Sequence, residues 1–219
     1  IYDYPIISTN LKYLKIINKY LKRFKINRYK IILEPAKRNT APAILSATLI
    51  KEIPTSQPLV FFPADHLIEK TTILNKKINN NKKYLTNQNI FIFGVKPTSP
   101  SSEYGYFVTK KSKLNTDKVN KFIEKPNYLK AKKIIKKKGY WNAGMFFVRK
   151  DSIINNFKKF EPGIYKSCLS SIKKAKIKNN TYYLNKSSFL KAANKSFDYV
   201  ILEKNKKIFA IKLDIPWSD

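Results

Sequence analysis

Five short stretches carry residues whose chemistry goes beyond packing. Asp65 and His66 close the run Leu59–His66 (LVFFPADH), so a carboxylate stands where an apolar strand would end. Such a group suits Mg²⁺, which prefers oxygen ligands and often uses one or two carboxylates together with substrate phosphates. Asp65 would serve equally as a local cap, with His66 bonding to its own surroundings. Glu34–Ala43 (EPAKRNTAPA) sets Glu34 at a strand end and Arg38, Asn39 and Thr40 at a helix start. Free N–H groups and the positive dipole end there suit a nucleotide or phosphate, or simply a capped helix. Glu124, Lys125 and Pro126 put an acid beside a base before a forced turn. The pair can accept sugar hydroxyls and donate to a phosphate, and a surface turn would look the same. In Tyr140–Phe147 (YWNAGMFF), Asn142 and Gly144 lie between a tryptophan and an apolar run. Close backbone approach and a neutral amide can meet a small ligand there, or the aromatics can stack in a core. Trp217–Asp219 adds a second carboxylate after the last strand. One histidine in the chain excludes His-rich zinc sites and weakens a histidine triad.

The elements that must hold these groups alternate along the chain. An extended start (Pro5–Thr9) leads into a lysine-rich amphipathic helix with Leu14, Ile17, Leu21 and Phe24 at helical spacing. Lys30–Glu34 reads as a strand. Asn39 or Thr40 caps the next helix, with Pro42 in its first turn. Leu59–His66 reads as a buried strand in a sheet covered on both faces. Asp65 would then stand outside a strand's carboxyl end, where open α/β sheets bind ligands. A helix over Thr72–Leu85, a buried strand over Asn89–Val95 and shorter strands over Tyr104–Thr109 and Val119–Glu124 follow. Asn127 caps a helix ending near Gly139, and Gly144–Arg149 is again a strand. Helices over Asp151–Phe160, Ile164–Lys176 and Ser187–Lys204 precede a last strand, Lys207–Ile215. The alternation predicts a layered α/β sheet in one domain, without repeats or linkers.

At 219 residues and 43% hydrophobic, the chain can bury a substantial core. One cysteine, Cys168, excludes a disulfide framework and fits a reducing, cytoplasmic compartment; its helical context makes it a packing residue. No apolar run approaches the roughly 20 residues that span a bilayer, so no membrane is expected. The formal charge of +31 invites a nucleic-acid reading, but all except four of the 45 basic residues (Arg23, Arg28, Arg38 and Arg149) are lysine. Arginine is the residue expected for bidentate phosphate and base recognition. Lysine, asparagine and isoleucine share A/T-rich codons, and base composition accounts for their excess. The field still favours anionic ligands, less so in high salt.

Taken together, EPAKRNTAPA, FFPADH, YGYF, FIEKP, YWNAGMFF, SFDYVILEK and PWSD resemble the mannose-1-phosphate guanylyltransferases of the bacterial type, in order and over nearly the whole chain. The resemblance implies a Rossmann-like nucleotidyltransferase α/β fold, with a mixed central sheet and helices on both faces. It implies Mg²⁺ as cofactor and GTP and mannose 1-phosphate as substrates, giving GDP-mannose and pyrophosphate. By matching motif, Glu34, Arg38, Asn39 and Thr40 would lie at the guanosine end, and Gly105, Glu124, Lys125 and Asn142 around the mannose phosphate. Asp65 would hold Mg²⁺ with Asp219, and Asp65, Lys125 and Asp219 would be the catalytic groups. Asp198 lies in a matching helix without an assigned role. A homo-oligomer is compatible with the pattern. No protein nucleophile is needed, because the attacking sugar phosphate is already ionised, and the residues offer no nucleophile–base constellation.

The sequence departs from the family pattern twice. The family opens with a strand and a glycine-rich loop around the triphosphate, and none of the five glycines forms one. Residues 1–219 are therefore expected to be one nucleotidyltransferase domain incomplete at both ends, with little turnover by themselves. Glu103 also stands where the family has glycine, which puts a charge near the sugar pocket. Two other function classes compete. A non-catalytic remnant fits the lysine and asparagine drift but not the retained motifs, and a basic nucleic-acid-binding domain fits the charge alone.

Overall fold

The computed structural model describes residues 2–112 and 116–218. Its elements run β1 (Ile6–Asn10), α1 (Leu14–Arg23), β2 (Lys30–Glu34), α2 (Thr40–Thr48), β3 (Pro58–Phe61), β4 (Leu67–Ile68) and α3 (Thr71–Lys82). Then come β5 (Ile90–Val95), β6 (Tyr106–Lys111), β7 (Asp117–Ile123), α4 (Tyr128–Lys136), β8 (Tyr140–Arg149) and α5 (Lys150–Phe160). α6 (Pro162–Lys173), β9 (Lys176–Lys178), β10 (Thr181–Tyr183) and α7 (Lys186–Phe189) are followed by a π-helical turn at Asp198–Leu202, β11 (Ile208–Leu213) and β12 (Trp217–Ser218). The fold is mixed α/β, and the chain forms two compact units, Ile1–Pro54 with Asn156–Val200, and Thr55–Asn155 with Ile201–Asp219.

The first unit holds a four-stranded sheet in the order β1-β2-β10-β9. β1, β2 and β10 are parallel and β9 is antiparallel. The centre of β2 is apolar and buried (Ile31, Ile32 and Leu33), as expected of a strand with a neighbour on each side. α1 places Leu21 against Ile31 and Leu33, with Leu14 and Ile17 packed at the edge of the same cluster. Leu14, Ile17 and Leu21 thus form the face read from the residue spacing, whereas Phe24 follows the end of α1 and is exposed.

The second unit holds a six-stranded mixed sheet in the order β3-β8-β5-β11-β7-β6, and β6 returns to pair with β8. β5 and β11 run parallel; the other pairings are antiparallel. All six residues of β5 are buried. The core joins Phe91, Phe93, Trp141, Met145, Phe147 and Phe209 to Leu74 and Ile78 of α3 and Ala131 and Ile134 of α4. Asn127 caps α4 by accepting from Lys130 N–H at 2.9 Å, a bond worth about 1 kcal/mol. Among the described residues no helix is long and apolar enough to cross a membrane.

Three expectations need correction. Leu59–His66 is not one buried strand. β3 stops at Phe61, its residues are half-buried, and it lies at the edge of the sheet. Pro63 has no N–H to extend the ladder, and the partner strand β8 turns to a left-handed φ of +64° at Gly144. The helix expected over Ser187–Lys204 is only the four-residue α7 and the turn at Asp198–Leu202. Between them Lys195 O accepts from Ala41 N–H and Phe197 N–H donates to Thr40 Oγ1, so this stretch spends its backbone groups on α2. Residues 176–183 form a hairpin that the sequence reading passes over, turning through Asn179 at φ +52°. β8 also begins at Tyr140, ahead of Gly144, so Asn142 is a strand residue.

Candidate active site

In the first unit, Glu34 ends β2 and faces Asn10 of β1 across the parallel ladder. Ser8 Oγ donates to Glu34 Oε1 at 2.7 Å, and Asn10 Nδ2 donates to the Glu34 carbonyl at 3.2 Å. Burial pushes the Glu34 carboxyl above the ordinary glutamate range, and the Ser8 hydroxyl pulls it partly back. Arg38 Nη2 donates to the Leu190 carbonyl at 2.7 Å, which ties that side chain to the end of α7. Asn39 caps α2 at φ +64°, its Oδ1 accepting from Thr40 N–H at 2.8 Å.

The N-terminus of α2 offers less to an anion than the sequence suggests. Thr40 N–H is taken by Asn39, Ala41 N–H by Lys195 O, and Pro42 has none. The functional potential of this region therefore rests on side chains, Glu34 above all. Cys168 is buried beneath α2 with its thiol pushed up to about 12, a neutral packing group as expected.

In the second unit, Gly105, Glu124 and Asn142 come together. A Cβ built on Gly105 would lie 2.5 Å from Glu124 Oε2 and 3.5 Å from the Asn142 Cβ, so the missing side chain is the space the carboxylate occupies. Asn142 N–H donates to the Gly105 carbonyl at 2.7 Å, which locks the two backbones. Asn142 is 8% exposed and Glu124 half-buried. Lys125 is exposed and held at φ +41°, a left-handed conformation unusual for a side chain of this kind, immediately before the buried Pro126. Glu103 is exposed, with its N–H on Ser101 Oγ; Glu124 is the acid that lies against Gly105.

Asp65 is exposed, on the loop between β3 and β4. That loop is fastened through its neighbours. Trp217 Nε1 donates to His66 Nδ1 at 3.2 Å, and β12 pairs antiparallel with β4, setting Ser218 opposite Leu67. Gly144 passes close beneath, where a Cβ would come within 3.3 Å of Pro63 and 3.4 Å of His66. Asp219 lies outside the described residues.

One grouping escapes the sequence reading altogether. His66, Tyr104, Trp141 and Trp217 form an aromatic cluster, with Tyr104 4.8 Å from Trp141 and 5.5 Å from Trp217, and His66 5.2 Å from Trp217. Each is adjacent in the chain to a candidate residue (Asp65, Gly105, Asn142) or two before one (Asp219). The only signal in the sequence is that repeated adjacency. Beside the cluster opens a cleft of about 400 Å³ lined by Lys96, Thr98, Trp141, Asp214 and Trp217; none of the candidate sugar-phosphate residues lines it.

A family profile described as nucleotidyl transferase matches residues 2–219. Among curated proteins, the alginate biosynthesis protein AlgA of Pseudomonas fluorescens is 30% identical over 99% of this chain and 46% of its own length. The mannose-1-phosphate guanylyltransferase of Escherichia coli is 32% identical over 98% of this chain and 48% of its own length. The chain thus spans about half the length of the curated relatives it matches. A solved structure described as mannose-6-phosphate isomerase from Helicobacter pylori superposes with a TM-score of 0.86 at 27% identity, covering 98% of this chain and 84% of that one.

Proposed function

The chain belongs to the nucleotidyl transferase family, and on that premise we propose that it moves GMP from GTP to mannose 1-phosphate, releasing pyrophosphate and forming GDP-mannose. The observation that carries the sugar half is the Gly105–Glu124–Asn142 cluster. A carboxylate fitted against a glycine, beside a buried neutral amide, suits recognition of sugar hydroxyls by hydrogen bonds without surplus charge. Lys125 supplies a point charge for the sugar phosphate. The relatives' printed activity supports mannose and guanosine over other sugar–nucleotide pairs.

In the first unit, Glu34 would accept from the Watson–Crick edge of guanine, with Arg38, Asn39 and Thr40 around the nucleoside. The reaction needs no protein nucleophile. A phosphate oxygen of the sugar phosphate attacks the α-phosphorus of GTP in line, one P–O bond forms, the bond to the β-phosphate oxygen breaks, and pyrophosphate leaves with that electron pair. The protein contributes orientation of two bound reactants and fixed charge around the phosphates.

Asp65 fits a divalent cation by the chemistry of its donor, an exposed carboxylate on a loop fastened through the His66–Trp217 bond and the β4–β12 ladder. Asp65, with Asp219, would hold Mg²⁺, which when bound neutralises charge developing on the phosphate oxygens. Pyrophosphate release should be measured with GTP, dTTP, UTP and ATP against mannose 1-phosphate and glucose 1-phosphate. The pair GTP and mannose 1-phosphate is expected to lead; a higher rate with dTTP or with glucose 1-phosphate would overturn the assignment.

A further inference from the structure

Within the first unit, β1 and β2 are in parallel register with Asn10 opposite Glu34 and Ser8 opposite Ile32. Ser8, Asn10 and Glu34 therefore share one face of the sheet, since residues two apart in a strand point the same way. Asn10 holds the Glu34 backbone carbonyl and Ser8 holds the carboxylate, at 3.2 and 2.7 Å. We propose that Ser8 is a positioning residue for guanine selection: its hydroxyl orients Glu34 so that both carboxylate oxygens meet the N1–H and the 2-amino group of the base. The role rests on the reading of Glu34 as the base-facing residue.

The hydrogen-bond count allows it. An ionised carboxylate offers about four acceptor sites. Ser8 occupies one on Oε1, and the two guanine donors need one on each oxygen. Without the hydroxyl, Glu34 loses the contact that selects its rotamer, and burial favours the protonated acid. A protonated oxygen would turn a donor toward a donor. Hypoxanthine separates the two halves of this recognition, because it keeps N1–H and lacks the 2-amino group. The ratio of GTP to ITP affinity thus reports whether both carboxylate oxygens are engaged.

The test is equilibrium binding of GTP and of ITP, measured by calorimetry on the protein and on Ser8→Ala, Ser8→Thr and Glu34→Gln. Ser8→Ala is expected to weaken GTP about tenfold, the scale of a lost hydrogen bond to a charged group, and ITP much less. Ser8→Thr keeps the hydroxyl and is expected to keep the parent ratio, which a loss of mere packing would not predict. A parent-like ratio in Ser8→Ala beside a collapsed ratio in Glu34→Gln overturns the role of Ser8 and leaves Glu34 as the base reader. A parent-like ratio in Glu34→Gln overturns the base assignment itself. Should Ser8→Ala fail to fold, Ser8→Cys, similar in volume but a weak donor, carries the same prediction.

Discussion

Two of the candidate carboxylates stand at or just past a strand end, and they are kept in opposite conditions. Glu34, the last residue of β2, is half-buried, bonded by Ser8, and raised in pKa by desolvation. Asp65, four residues past the end of β3, is exposed, and the contacts that fix its loop belong to His66, Pro63 and the β4–β12 ladder. The difference follows from what each is proposed to meet. A group that reads a base edge gains selectivity by being oriented and partly desolvated before the ligand arrives. A group that holds a hydrated cation keeps its oxygens open, so that metal and phosphate can replace water around it.

The two acids should differ most in what their removal costs, and Asp65 carries the larger catalytic loss. Asp65→Ala is expected to cut Mg²⁺-dependent pyrophosphate release by about a hundredfold or more, a few kcal/mol of charge stabilisation. Its exposure means that thermal stability should stay within about 0.5 kcal/mol. Turnover and a melting curve across a Mg²⁺ titration check both halves. An unchanged metal dependence would remove the distinction between the two acids.

Gly105→Ala bears on a third carboxylate, Glu124. The added methyl would meet the far end of that side chain at 2.5 Å, so the carboxylate can swing away and the fold is expected to survive. The cost should fall on the sugar phosphate, with KM for mannose 1-phosphate rising about tenfold as a charged hydrogen-bonding group leaves its place. KM for GTP should stay level. Equal losses for both substrates would show that Gly105 supports the sheet and not the sugar.

Much of this was legible in the residues, and the limit has a physical form. β2, β5 and the caps at Asn39 and Asn127 are local events, written in an apolar run or in one side chain reaching a backbone N–H one to three residues on. The pairing of His66 with Trp217 joins residues 151 apart, and Gly105 meets Glu124 and Asn142 only because β6, β7 and β8 align. Neither is visible without the sheet register. The failure at Ser187–Lys204 has the same origin: a helix is expected there, but Lys195 and Phe197 bond to α2 instead. Motif resemblance proposes which residues to examine, while local periodicity does not say which neighbours hold them.

Glu34 should also make itself felt through pH. Its carboxyl is raised in the folded protein, so protonation favours the fold. The stability it contributes is fully present below the ordinary glutamate pKa and is lost as pH rises through the folded value. The groups facing it are neutral, Ser8 and Asn10 from β1 and the Cys168 thiol from α6, so no nearby charge on these elements reverses the sign. Glu34→Gln, which removes the buried charge, is expected to raise the melting temperature near neutral pH and to flatten its dependence on acid. GTP binding should run the other way, weakening as pH falls through the same range in the parent protein. A melting temperature that drops near neutral pH in Glu34→Gln would mean that the charge is compensated after all.

A smaller change tests how far the first unit is shaped in advance. Asn39 holds φ +64°, a conformation that suits glycine, while its side chain caps α2. Asn39→Gly trades the cap for relief of the backbone, and the two nearly cancel, leaving a change of a few tenths of a kcal/mol. Asn39→Ala loses the cap and keeps the strain, at a cost of about 1–2 kcal/mol. Chemical denaturation resolves that gap, and GTP binding to the glycine variant then isolates the amide. If Asn39→Gly keeps both stability and affinity, the residue is a cap and nothing more. If stability holds while affinity falls, the amide at this strained position faces the nucleotide, and the first unit is shaped before binding by its backbone as well as by Ser8 and Glu34.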